Sequence, residues 1–226
     1  MKIKSVTISV AVALAAVMVS SLLSGCKTAG YQRADKTGAG IANFRNEITK
    51  TKLAIDSTLK AMDQIALTAN SNPRPAYEKY VKEVANLQAC ADKVRQSAQA
   101  MRENGQAYFD QWQEQLSQVK DENIRKLAEQ RKAKLKEAFD EIREYTEPLK
   151  EQFEPWMSSL KDLQNYLAND MTVSGIAAAK GPFSKAKSQG QKVQKGMDDL
   201  IEALNDLAAT LTPANVPPAP DANQQK

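Results

Sequence analysis

Histidine is absent from all 226 residues. That absence excludes Ser-His and Cys-His nucleophilic pairs, His-containing zinc and di-iron sites, and imidazole proton shuttles. Cysteine occurs only twice, at Cys26 and Cys90, too few for a disulfide framework. Glycine and proline stand at nine each and aromatic residues at 6%, which argues against an all-β sandwich or a collagen-like chain. What remains abundant is Ala, Lys, Glu, Gln and Leu, residues that lose little entropy in a helix. An all-α fold is the first expectation.

The N-terminus reads as an address. Lys2 and Lys4 precede an apolar run from Val6 to Leu23, which ends in Leu23-Ser24-Gly25-Cys26. The run is about as long as a marginal membrane span, so an uncleaved anchor is one reading. The aliphatic-small-small-Cys ending matches the lipobox of bacterial lipoproteins, and it predicts a signal peptide over residues 1–25 with Cys26 carrying a diacylglycerol. A single myristoyl chain binds membranes only marginally, whereas the two or three chains of a lipoprotein hold firmly. Lys27 occupies the position where Asp would signal inner-membrane retention, so a periplasm-facing location on the outer membrane is expected. Loss of Lys2 and Lys4 lowers the formal charge from +4 to about +2. So small a surplus predicts no nucleic-acid partner.

Beyond a small, polar stretch expected to tether the chain over residues 26–40, apolar residues fall into a 3-4 spacing. Ile41, Ile48, Ile55 and Met62 recur every seven residues, predicting a first helix that starts near Lys36 or Ile41 and runs to about Asn70. The Asn70–Pro75 segment, with Pro73 and Pro75, ends it. A second helix carries one seam from Tyr77 through Leu87 and Met101 to Trp112 and Val119. Gly105 lies on this seam, where it marks a close helix approach or a kink. A turn near Lys120–Asn123, with Asp121 or Asn123 as cap, precedes a third seam from Ile124 through Leu135 and Leu149 to Leu167. Pro148 and Pro155 interrupt that seam without shifting its phase, which favours one kinked helix over a break. A short helical piece around Val173–Ala179 and a last helix with Phe183, Gly190, Met197 and Leu207 complete the pattern.

The expected architecture over residues 41–211 is therefore an elongated antiparallel helical bundle or coiled coil of about four long helices. The hairpin around Leu116–Lys136 should project from it as a two-helix tip. Residues 212–226 read as a disordered Pro-rich tail.

Chemistry-bearing candidates are few. Asp198, Asp199 and Glu202, and likewise Glu137, Glu141 and Glu144, read as solvated faces paired with Lys and Arg. No catalytic, cofactor-binding or metal-ligating residue is nominated, so the chain is read as non-enzymatic and without a cofactor, with Cys26 as its one modification site. Cys90 reads as a small apolar helix residue, with a disulfide-linked homodimer as the alternative. Lys120–Lys136 holds seven basic residues against three acidic ones, which points to contact with anionic headgroups or an acidic partner. Expected partners are the membrane, through the lipid on Cys26, and a periplasmic protein or a second copy of the chain. A self-assembling, lipid-binding coiled coil is the alternative.

Several segments carry a family resemblance. They are Phe109-Asp110-x-Trp112, Pro155 with Leu160-Lys161-Asp162 and Tyr166-Leu167, and Ile176-Ala177 ahead of Gly181-x-Phe183, with a weaker likeness at Tyr31, Ala34, Lys36 and Gly38. On these the sequence resembles a bacterial family catalogued as domain of unknown function 2959. The resemblance implies one exported helical domain, often a lipoprotein, and supplies no activity. Where the family pattern has a His-Asn-Leu-Asn-like stretch, this chain has Ala168-Asn169-Asp170-Met171.

Overall fold

Four long helices and one short one account for almost all of the chain that the computed structural model describes, residues 29–211 with side chains from residue 32. They are α1 (Ala29–Leu67), α2 (Arg74–Leu116), α3 (Glu122–Asn169), α4 (Val173–Ala178) and α5 (Lys180–Leu211). No strand occurs among the described residues. Cys26, the apolar leader and the 212–226 tail lie outside them.

Each connection has a local chemical cause. The α1–α2 turn ends at Pro73, and Pro75 sits in the first turn of α2, where a missing N–H costs nothing. Asp121 caps α3, its carboxylate accepting from the backbone N–H of Asn123 and Ile124 at 2.9 and 3.0 Å. Of the two cap candidates in the sequence, Asp121 does the work. Thr172 caps α4 by accepting from Gly175 N at 3.0 Å.

From Arg33 onward the chain forms one packed unit. Successive long helices alternate in direction, so α1 lies antiparallel to α2, α2 to α3, α3 to α5, and α5 back to α1. The α1–α5 register is fixed by Arg45–Asn205, Lys52–Asp198, Gln194–Asp56 and Lys187–Asp63. Every step forward along α1 is matched there by an equal step back along α5. The core is the expected set of seams: Ile41, Ile48, Ile55, Leu87, Leu160 and Leu200 are almost wholly buried. Helices α3 and α5 pack closely, because α5 presents Ala186 and Gly190 there. Trp156 fills the gap, its indole N–H donating to the Ala186 carbonyl at 2.7 Å.

Two expectations need correction. Residues 29–40 are the first turns of α1 rather than a flexible tether. Thr37 and Ile41 are buried, and Gly40 lets α1 approach the α2 backbone at Met101, so packing overrides the poor helix propensity of two glycines. The two-helix tip is also shorter than expected. Arg33 reaches Gln115 at 2.6 Å, and Arg131 donates to the Thr210 carbonyl at 2.7 Å. Flanking helices thus cover the base of Leu116–Lys136, leaving roughly residues 117–130 as the projecting turn. Helix α3 runs unbroken through Pro148 and Pro155, which both face solvent.

Candidate functional site

Helices α2 and α3 touch firmly at two places and separate between them. At one end Tyr80 donates to the Leu160 carbonyl at 2.8 Å and Tyr77 to the Gln164 carbonyl at 3.1 Å. At the other, the Phe139 ring lies on Gly105, occupying the space a β-carbon would need, and meets Phe109 edge-on at 5.8 Å. The intervening α2 face is small, with Ala91, Val94 and Ala98. The facing α3 segment holds Pro148, which leaves the Glu144 carbonyl without its usual N–H partner. Between the two contacts, the small side chains of α2 and the α3 segment around Pro148 leave a groove.

The groove has two communicating halves. One is about 750 Å³, closed at its end by Phe109 and Phe139 and edged by Arg102, Gln106, Lys136 and Arg143. The other is about 380 Å³ and more apolar, walled by Val94, Leu149 and Phe153 and floored by Met197 and Leu200 of α5. Phe44, Ala98, Arg102 and Thr146 line both halves. On the rim, Lys136 pairs with Asp140, Arg143 with Glu147 at 3.8 Å, and Arg95 with Asp92. Arg102 and Lys150 make no ion pair, and neither does Glu154 at the far end. The seam of α2 holds the signal for this groove in the sequence: three small residues in register with a proline on the neighbouring helix.

The basic segment singled out from sequence divides in two. Arg131 and Lys132 are engaged, the latter with Gln113, whereas Lys120, Arg125 and Lys126 surround the turn unpaired. Beside them Ile124 and Leu127, one helical turn apart, are 58% and 68% exposed. The α2–α3 turn therefore presents two aliphatic side chains among cations. At its base, burial raises the Tyr108 pKa, opposed by the Arg131 and Arg33 guanidiniums.

The carboxylate candidates stay dispersed. Asp198 pairs with Lys52 across the α1–α5 interface, and Glu137, Glu141 and Glu144 line the outer face of α3. Of the lysines between Lys180 and Lys195, Lys187 reaches Asp63 at 2.6 Å. The two aromatic clusters, Tyr108-Phe109-Trp112 with Phe139 and Phe153-Trp156, stay apart as the antiparallel register requires. Cys90 is half-buried and unbonded on α2. None of the described helices is long and apolar enough to cross a membrane.

A family model described as "Protein of unknown function (DUF2959)" matches residues 24–211. It starts two residues before Cys26 and ends with the last residue of α5. No curated protein and no solved structure matches the chain.

Proposed function

This chain belongs to the DUF2959 family of proteins of unknown function, and we propose that it is a lipid-anchored, non-enzymatic bundle of the cell envelope that acts by binding, with its α2–α3 turn toward the membrane. The supporting observation is the Arg33–Gln115 hydrogen bond of 2.6 Å. It sets the start of α1 beside the turn that carries Ile124 and Leu127. Cys26 lies seven positions before Arg33, and an extended chain spans at most ~3.5 Å per residue. The attachment point is therefore within about 25 Å of Arg33 whatever path the chain takes.

An acylated Cys26 would hold that end of the bundle at the bilayer, where Lys120, Arg125 and Lys126 each gain ~1 kcal/mol beside anionic headgroups. Lys27 favours the outer membrane. The groove, on the side of the bundle, stays open to the periplasm for an interaction partner.

Labelling cells with radioactive palmitate tests the anchor. The wild-type chain should incorporate label and sediment with membranes, and Cys26→Ala should do neither. A Cys26→Ala chain that is cleaved yet still membrane-bound would contradict the reading. Exposed Leu53, at 63%, favours a second reading in which copies assemble on lipid. Light scattering of the protein on vesicles separates the two, since a growing assembly supports only the second.

A further inference from the structure

The α2–α3 groove matches the chemistry of one class of ligand. Its narrow half is a trough of aliphatic and aromatic side chains, Val94, Leu149, Phe153 and Leu200 among them, with a volume of about 380 Å³. Its wide half, about 750 Å³, has an aromatic end wall and a rim of Arg102, Lys136 and Arg143. Arg102 stands where the halves meet and lines both, and its guanidinium has no carboxylate partner. Lys150 of α3 lines the narrow half and has no ion pair among the described residues.

An apolar trough leading to a free cation and then to a wider polar chamber has the polarity of a single-chain anionic lipid. We propose that the groove binds a single-acyl anionic phospholipid. Its acyl chain lies in the narrow half, its phosphate against Arg102 at the junction, and its headgroup in the wide half. Each methylene taken from water contributes ~0.8 kcal/mol, so a long chain supplies most of the binding. A guanidinium suits a phosphate because its planar donors can bond two oxygens at once.

The wide half distinguishes this ligand from a fatty acid, whose carboxylate would leave that volume empty. Glu154 sits at the apolar end of the trough, away from the phosphate position; Asp140 pairs with Lys136, and Glu147, which lines both halves, pairs with Arg143 at 3.8 Å. The ligand's source is the membrane to which the chain is proposed to be tethered, but the groove itself needs no anchor.

The test uses the purified chain carrying Cys26→Ser, so that its result does not depend on acylation. Isothermal titration with lysophosphatidylglycerol below its micelle concentration should show saturable one-to-one binding. An uncharged surfactant of equal chain length should bind at least roughly ten-fold more weakly, the value of a charge-assisted hydrogen bond, and palmitate, which has no headgroup for the wide half, should also bind more weakly. Arg102→Glu should weaken binding at least roughly ten-fold with an unchanged melting temperature. Ala98→Leu, which fills the junction of the two halves, should abolish binding while holding or raising the melting temperature. Lys192→Glu, on α5 away from the groove, serves as the control and should bind normally.

Absence of saturable binding, equal affinity for the neutral surfactant or for palmitate, or full affinity in both Arg102→Glu and Ala98→Leu would overturn the assignment. Should Ala98→Leu fail to fold, Arg102→Glu still decides it.

Discussion

Trp156 and Ala186 are joined by a 2.7 Å hydrogen bond from the indole N–H to the backbone carbonyl, and the same indole ring covers Gly190 one turn along α5. The contact couples α3 and α5 through a donor that burial would otherwise leave unpaired. A β-carbon at Gly190 would sit 2.8 Å from Trp156 Cζ2 and 3.1 Å from Leu59 Cδ1. Gly190→Ala should therefore destabilise the bundle by about 1–2 kcal/mol, overpacking outweighing the helix-propensity gain of about 1 kcal/mol. Urea denaturation followed by circular dichroism measures it. A stabilised variant would mean that α3 and α5 separate freely.

Tyr80 gives the fold an alkaline limit. Its hydroxyl donates to the Leu160 carbonyl, and burial, with a smaller contribution from Tyr77, pushes its pKa well above the ordinary 10.0. The neutral phenol is thus favoured in the folded state, so its contribution is complete below pH 10 and is lost as pH rises above that value. Stability should fall beyond about pH 10, the unfolded-state value. Tyr80→Phe should cost about 1 kcal/mol at neutral pH and flatten that decline. Thermal melts across pH 7 to pH 11 read both effects.

Pro148 is exposed and withholds an N–H from the Glu144 carbonyl. Pro148→Ala should restore that bond and raise stability by about 1 kcal/mol, less than the full ~3 kcal/mol Pro–Ala difference because α3 has already adapted. The straighter helix should also narrow the groove, so binding of a groove ligand should weaken as the melting temperature rises. A variant with lower stability would show that the packing of α3 depends on Pro148.

The α2–α3 turn should partition onto anionic membranes even without acylation. For the Cys26→Ser chain, reversing Arg125 and Lys126 to Glu should reduce binding to phosphatidylglycerol-containing vesicles by roughly thirty-fold or more, at ~1 kcal/mol per basic residue. Leu127→Ser should reduce it roughly ten-fold through lost apolar burial. Equal sedimentation with phosphatidylcholine vesicles would contradict the charge argument.

The periodicity of the chain carried most of this fold. Seven-residue repeats such as Ile41-Ile48-Ile55 and the phase preserved across Pro148 and Pro155 were enough to place four long helices and their partners. The start of α1 was not legible, because Gly38 and Gly40 read locally as a loop. The burial of Thr37 and Ile41 around them, with Gly40 against α2, holds them in the helix. The tip was overestimated for the same reason, since its uncovered length depends on where α1 begins and α5 ends. The groove was also hidden. Ala91, Val94 and Ala98 look like an ordinary seam until they are seen to line a cavity against α3. Leu23-Ser24-Gly25-Cys26, which matches a lipobox in sequence, lies outside the described residues.

The orientation of the anchored bundle is the most direct test of this account. The acylated chain, with Cys90→Ala, would carry a fluorophore on a cysteine replacing either Leu127 or Leu67, which lie at opposite ends of the bundle. At ~1.5 Å rise per residue, α1 alone separates Arg33 from Leu67 by about 50 Å. In vesicles bearing headgroup quenchers, fluorescence at position 127 should be strongly quenched and that at position 67 should not. Quenching at position 67 but not at 127 would contradict it.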